Sequence, residues 1–367
     1  MMETTDAIEV QLDEKGICRL CRDFDAAWEI RKHHRNEAAL AEQIDLIKQA
    51  GRGKPYDVIL GLSGGVDSSY LVLLCHERNL RPLLVHFDNG WNSELAIDNI
   101  NRIIGKTGFD LHTFVMDWDE FREMQLAYLR ASVVDIEVLT DHAIFTVMYE
   151  VALKFKIPSV LSGVNLETES FLPFSWIYLK EDEANIRDIC RQYCRVPIRQ
   201  YPFMGDRVNR NLARQKIRRY DLLDFMSYHS GEVKQRLLEA FGWRDYGGKH
   251  YESIFTRFYQ GYLLPEKFGI DKRKAHLSNL ICSGQMTREK ALEILKTPSY
   301  PGTLMEQDKE FVLKKLGLDA TEFEQIMALP IRRHTEFWSN RSLFYRVRPL
   351  RPLYRPWLRY KRWRRGG

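Results

Sequence analysis

The sequence predicts an α/β fold: a Rossmann-like parallel sheet with helices on both faces, followed by a mainly helical C-terminal region. Three observations predict it. Apolar runs of strand length alternate with helical periodicity from residue 56 to residue 163. The first run breaks at Ser63-Gly64-Gly65 and passes at once into a helical pattern (Val66, Tyr70, Leu71, Leu74). Beyond residue 165 the alternation stops, and few strand signals follow.

Each element has its own signal. Phe24 to about Ala50 is charged and helical, and Gly51-Arg-Gly-Lys-Pro55 ends it. Tyr56, Val58, Ile59, Leu60 and Leu62 have the composition of a buried parallel strand. A helix near 66–79 follows, then a strand at Pro82–Asp88, a helix at 93–107 and a strand at Leu111–Met116. Two helical stretches come next, the second beginning near Asp141-His142-Ala143, and Pro158–Gly163 reads as the fourth strand. The chain divides into an N-terminal Cys-x-x-Cys and helical segment (1–50), a phosphate-loop domain (51–170), a mainly helical substrate or partner region (171–340) and a basic aromatic tail (341–367). Phe255, Phe258, Tyr259 and Tyr262 fall on one helical face and read as core, whereas Lys249, His250, Glu252 and Arg257 are charged groups seldom buried without partners.

The strand-to-helix junction carries the chemistry. Two glycines there leave backbone N–H groups bare at the positive end of a helix dipole, a cradle for phosphate. Ser63, Ser68 and Ser69 add hydroxyls. Asp67 alone would repel phosphate, so its presence points to Mg²⁺ between them. The reading requires an opening for a nucleotide at Gly64 and Gly65. In open parallel sheets ligands bind beyond the carboxyl ends of the strands, which puts Asp88, Asn89, Asp117 and Asn165 at the same edge.

The formal net charge of +5 is uneven, because residues 341–367 hold nine Arg, one Lys and no acid. The other 340 residues therefore sum to −5, against a nucleic-acid-binding body. The tail interleaves Arg with Trp357, Tyr360 and Trp363, a composition suited to an anionic membrane surface or an acidic partner. The N-terminus is acidic and has no apolar signal region, and no apolar run approaches the roughly 20 residues of a spanning helix, so the expected location is cytoplasmic, with peripheral contact to the inner membrane surface left to the tail. The six cysteines are expected as thiols or metal ligands. Cys18 and Cys21 form half of a zinc knuckle, for which His33 and His34, or Cys190 and Cys194, are the available second halves; two plain thiols at a helix start are the simpler alternative.

Ser-Gly-Gly-x-Asp-Ser resembles the pyrophosphate loop of the ATP-pyrophosphatase superfamily, whose fold is adenine nucleotide alpha-hydrolase-like; it lacks the Gly-Lys-Ser/Thr ending of a Walker loop. Further blocks narrow the resemblance. They are Val85–Ser93, Ser162–Glu169, Lys249–Ser253, Phe255–Gln260, Lys267–Arg273 and Leu277–Arg288, and together they resemble the N-acetyl sugar amidotransferase family of lipopolysaccharide and surface polysaccharide biosynthesis. The sequence differs from that pattern in two places: family members often begin with an additional Cys-x-x-Cys, and the Arg/Trp tail has no counterpart in the family core. The resemblance implies an enzyme that converts the acetamido group of a nucleotide-activated sugar to an acetamidino group, in O-antigen assembly among other routes. It implies ATP and Mg²⁺, an O-adenylyl intermediate, and ammonia from a separate glutaminase paired with a cyclase-like barrel subunit. Ser63, Gly64, Gly65, Asp67, Ser68 and Ser69 would then hold phosphates and metal, and Asp88 and Gly163 the nucleoside. Asn165, Glu167, His142, Lys249, His250 and Arg257 are the candidates for sugar binding and proton transfer, with no general base singled out. The competing reading is a tRNA-modifying enzyme with the same loop, a thiolase or lysidine synthetase, which the tail and cysteines favour and the acidic body opposes; salt-resistant tRNA retention would mark it.

Overall fold

In the computed structural model, which describes residues 1–249 and 251–339, five strands form one sheet in the order β3-β2-β1-β4-β5. They are β1 (Val58–Gly61), β2 (Pro82–Asp88), β3 (Leu111–Val115), β4 (Ser159–Leu161) and β5 (Arg218–Tyr220), and every pairing is parallel. Strand β1 is central, so both its faces must be apolar. Val58 and Leu60 turn to one side, where they meet Ile44 and Ile47 of α2 (Glu37–Ala50), Leu71 and Leu74 of α3 (Val66–Glu77) and Ile100 of α4 (Glu94–Thr107). Ile59 turns to the other with Leu83 and Val85, against Val147 and Val151 of α6 (Val138–Lys154). The period-two alternation of one short strand thus fixes a helix layer on each face.

The fifth strand departs from the sequence reading, which leaves residues 218–220 in a helical region. Arg218-Arg219-Tyr220 has no apolar run, and only Tyr220 is buried. It pairs with β4 at the sheet edge, where exposed arginines keep further strands from adding.

The helical remainder comprises α1 (Arg19–Arg31), α5 (Trp118–Ala131), α7 (Leu166–Glu169), α8 (Glu183–Tyr193), α9 (Asp206–Gln215), α10 (Ser230–Phe241), α11 (Ile254–Phe258), α12 (Leu264–Phe268), α13 (Lys272–Cys282), α14 (Arg288–Lys296), α15 (Gly302–Leu316) and α16 (Ala320–Ala328). Phe255, Phe258 and Tyr259 are fully enclosed in a core shared with Trp91, Phe121 and Phe337. Ala7, Val10 and Phe24 join the same core, so the first turns of the chain pack with the C-terminal helices while α2 packs on the sheet. Lys267 donates to the carbonyls of Ile326, Met327 and Leu329 at 2.7, 3.0 and 3.0 Å, closing the C-terminus of α16. Among the described residues no helix is long and apolar enough to cross a membrane. The basic tail and His250 lie outside the described residues.

Candidate active site

The glycines of the loop are required by their surroundings. Gly64 has φ +80°, a left-handed conformation, and a Cβ there would stand 2.5 Å from the Ala96 carbonyl oxygen. A Cβ on Gly65 would lie 3.1 Å from Ser63 Oγ, 3.1 Å from Glu252 Oε1 and 3.3 Å from the Tyr246 hydroxyl. Both glycines are buried, so the expected opening is not found over Gly64 and Gly65 themselves. They are covered by Trp243, Tyr246 and Glu252, and the Trp243 indole N–H donates to the Gly64 carbonyl at 3.0 Å. The open side of the loop is formed by exposed Ser63 and half-buried Asp67 and Ser68.

The donors at the start of α3 are already engaged by side-chain oxygens. Gly65 N–H donates to Ser63 Oγ at 3.2 Å, and Val66 N–H donates to the Tyr246 hydroxyl at 3.0 Å. Ser63 N–H donates to Ser68 Oγ at 3.3 Å. Oxygen acceptors thus stand over the helix N-terminus, where its partial positive charge favours anions. Replacing Tyr246 by Phe frees Val66 N–H, and inorganic pyrophosphate should then bind about fivefold tighter in calorimetric titration, on the order of 1 kcal/mol for one hydrogen bond no longer displaced. Weaker binding would mean that the hydroxyl itself assists the anion.

Asp67, in the first turn of α3, accepts from the buried Tyr228 hydroxyl. Burial, and then the Asp67 carboxylate, push the Tyr228 phenol well above its ordinary range, so it acts only as a donor. A Cβ on Gly163 would come 3.3 Å from Asp67 Cβ, so a glycine there lets β4's end approach the start of α3 closely. Helix-start donors held by displaceable side-chain oxygens, hydroxyls on the open side and an oriented carboxylate fit a polyphosphate with a magnesium ion.

The other expected residues fall into three groups. Asp88 ends β2 and accepts from Gly90 N–H at 2.8 Å and the Asn92 amide at 3.2 Å, at the same sheet edge as the loop. Asn165 caps α7 through Thr168 N–H at 2.9 Å, and its amide reaches the Gly163 carbonyl at 3.4 Å. Glu167 is buried; it pairs with Arg35 and accepts from Tyr228 N–H at 2.9 Å and the Gln285 amide at 3.3 Å. Burial raises its pKa and Arg35 opposes the rise. Glu167 therefore holds the Tyr228 backbone while Tyr228 holds Asp67.

The second group is engaged elsewhere. His142 donates from Nδ1 to the Lys180 carbonyl at 2.6 Å and accepts at Nε2 from Met204 N–H at 3.1 Å, and burial lowers its pKa, so the ring is neutral. Lys249 pairs with Glu169 at 3.1 Å and donates to the Thr168 carbonyl. Arg257 forms a two-pronged ion pair with Asp308 at 2.6 and 2.7 Å. Ser69 is turned inward and fully buried, and its hydroxyl has no hydrogen-bond partner among the described residues.

The third group is the cysteines. Cys18 and Cys21 stand 3.2 Å apart at the start of α1, and the thiol that joins them is Cys282 of α13, which hydrogen-bonds Cys21. Neither His33 and His34 nor the pair Cys190 and Cys194 supplies a second half. Among the described residues no group of His, Cys, Asp and Glu is arranged to hold a metal ion, so the expected zinc finds no four-ligand shell. Sequence reasoning missed Tyr228, Tyr246 and Gln285 around the loop. Tyr228 and Tyr246 are scattered residues of ordinary type with no spacing that marks them, and Gln285, though inside the Leu277–Arg288 block, was given no role.

Residues 252–351 match the family described as "LPS biosynthesis protein WbpG-like, C-terminal domain". Glu252, the first residue of that match, is the one that lies over Gly65. No curated protein matches the chain. Among solved structures the chain is similar to NMN synthetase from Francisella tularensis, at 12% identity over 79% of this chain and 97% of that one, with a TM-score of 0.39. It is similar to the NH3-dependent NAD synthetase from Campylobacter jejuni at 12% identity, over 75% and 92% of the two chains, with a TM-score of 0.34. The U34-tRNA thiolase NcsA from Methanococcus maripaludis matches at 14% identity, over 68% and 82%, with a TM-score of 0.30. The fold assignment rests on the parallel sheet itself.

Proposed function

We propose that this chain is an ATP-dependent, AMP- and pyrophosphate-forming N-acetyl sugar amidotransferase. It would convert the acetamido group of a nucleotide-activated sugar to an acetamidino group in lipopolysaccharide or surface polysaccharide assembly. One observation supports this most. The region matched to a lipopolysaccharide-biosynthesis domain begins at Glu252, whose carboxylate stands 3.1 Å from the position a Gly65 side chain would take, so the matched region and the phosphate loop meet at this point.

An amide carbon is a poor electrophile, and ammonia does not displace its oxygen directly. Transfer of the AMP moiety to the amide oxygen makes that oxygen a leaving group. Ser63, Gly64, Gly65 and Ser68 would hold the β- and γ-phosphates, with the α3 N-terminus stabilising the charge that builds as pyrophosphate departs. Asp67, oriented by Tyr228, would hold a magnesium ion, which supplies positive charge opposite the departing pyrophosphate. Asp88 and Gly163 would border the nucleoside. Ammonia would come from a separate glutaminase with a cyclase-like barrel subunit, because no cysteine of this chain sits in a nucleophile setting.

The test is incubation with ATP, Mg²⁺, ammonium and a panel of nucleotide-linked N-acetyl sugars. The expected result is a one-dalton mass decrease in one acceptor as oxygen becomes NH, with stoichiometric AMP and pyrophosphate. Free ammonium should support the reaction and glutamine should not. Pyrophosphate release independent of any acetamido sugar would defeat this reading, and glutamine-dependent product from the single chain would defeat the separate-glutaminase part.

A further inference from the structure

Beyond the residues singled out from the sequence, a cluster of ionisable groups lies along a recess reached from the phosphate loop through one short segment. Asp135, Glu137 and Asp141 lie at the start of α6, Lys180 on the loop before α8, Thr256 on α11 and Lys272 on the first turn of α13. Glu137, Lys180 and Lys272 are each surrounded by protein yet keep partial access to water, which describes side chains on the wall of a recess. Lys180 is paired on both sides, with Asp135 at 2.7 Å and Asp141 at 3.0 Å. Glu137 accepts from the Thr256 hydroxyl at 3.0 Å.

Lys272 differs. Its ammonium faces Asp135, Glu137, Asp141 and Lys180, yet among the described residues it makes no hydrogen bond or ion pair. Burial lowers its pKa, and the side chain, still partly open to water, has no protein acceptor among the described residues. Burial, and then Asp141, push Glu137 up to about 7, with Lys272, Lys180 and Thr256 opposing; Tyr259 lies on the same side. One donor lacking an acceptor thus sits beside one carboxyl that titrates near neutrality.

The recess is tied to the loop by one short segment. Glu252 stands over Gly65, Ser93 N–H donates to the Glu252 carbonyl at 2.8 Å, and Thr256 reaches Glu137 four residues farther on. Four residues span at most about 14 Å. Asn89, at the carboxyl end of β2, donates to Thr140 at 3.4 Å, next to Glu137 and Asp141. These contacts tie the recess to the sheet edge that carries the loop.

A secondary amide presents one oxygen acceptor and one N–H donor side by side, and a Lys ammonium beside a Glu carboxylate is its complement. We propose that Lys272 and Glu137 grip the acceptor's acetamido group, Lys272 donating to the amide oxygen and Glu137 accepting the amide N–H and taking its proton as that oxygen attacks the α-phosphorus of ATP. This rests on the amidotransferase reading and names the group that binds the reacting amide. In the step the O–P bond forms, the bond from the α-phosphorus to the bridging oxygen breaks, and pyrophosphate leaves. The N–H electron pair becomes the C=N bond of a neutral O-adenylyl imidate, and the proton rests on Glu137. When ammonia adds to the imidate carbon, it passes a proton to the medium, Glu137 returns its proton to the ring-side nitrogen, and AMP leaves with the C–O electron pair, giving the amidine in its protonated, amidinium form.

The experiment compares binding of a panel of nucleotide-linked N-acetyl hexosamines with their deacetylated amines to the full chain, by calorimetry, alongside acetamido-dependent ATP–pyrophosphate exchange as a function of pH. The wild type should prefer at least one acetamido sugar over its amine by tenfold or more. Lys272→Met and Glu137→Gln should both erase that preference while leaving ATP affinity within twofold. Exchange should rise with pH through the neutral range in the wild type, lose at least 100-fold in Glu137→Gln and recover in part in Glu137→Asp. A structural role is read separately: removing an enclosed, unpartnered charge should leave the melting temperature of Lys272→Met unchanged or raise it. Wild-type preference retained in both variants, or no acetamido preference in the wild type, overturns the recess. Preference without amidine formation keeps the recess and defeats the amidotransferase reading instead.

Discussion

Asp67→Asn should lower acetamido-dependent pyrophosphate release by 10²–10³-fold, the usual cost of losing one electrostatic group aimed at developing charge, on the order of 3–4 kcal/mol. The carboxylate is positioned rather than merely present. Tyr228 donates to it, Glu167 fixes the Tyr228 backbone, and Gly163 packs closely against the Asp67 Cβ. Asparagine keeps an oxygen for the Tyr228 hydroxyl and removes only the charge, so melting should shift little. Asp67→Ala removes both, and the hydroxyl of Tyr228, itself 1% exposed, loses its partner. That costs about 1–3 kcal/mol of stability in addition to the activity. Asn within threefold of wild-type turnover would show that the charge does no catalytic work.

The strand–loop–helix junction was legible because its physics is local. Val58 to Leu62 must be apolar to sit mid-sheet, Gly64 must be glycine to hold φ +80° against the Ala96 carbonyl, and both constraints lie within a dozen residues. β5 was not legible. Three residues with two exposed arginines carry no strand pattern, and only pairing with β4 makes them one.

The rest of the site is assembled from sequence-distant partners, which spacing cannot show. Tyr228 meets Asp67 across 161 residues, and Tyr246 meets Val66 across 180. Cys282 reaches Cys21 across most of the chain, whereas the histidines and cysteines considered as its partners lie elsewhere. Residue type misled in one respect. Lys249 and Arg257 were charged groups in need of explanation, and the structure gives each a carboxylate partner, while Lys272, in the same kind of sequence, has none among the described residues. Burial without a partner, visible only in three dimensions, separates them.

Arg257→Met should destabilise the protein by about 3–5 kcal/mol, the cost of breaking an enclosed ion pair from one side. Both prongs are short, at 2.6 and 2.7 Å, and the side chains of Arg257 and Asp308 are only 13% and 8% exposed. The variant leaves Asp308 with the Tyr300 hydroxyl as its remaining partner, a neutral donor that does not balance the charge. Removing both charges, as in Arg257→Met with Asp308→Leu, should recover part of the lost stability, because no unpaired charge is left and only the Tyr300 hydroxyl loses its acceptor. The double variant also separates two roles for Arg257, which lies next to Thr256 and hence close to the proposed amide recess. If the arginine only braces α11 against α15, turnover returns with the melting temperature. Restored stability with turnover still lost would assign the guanidinium a contact with the acceptor, made in place of its bond to Asp308 when the sugar binds.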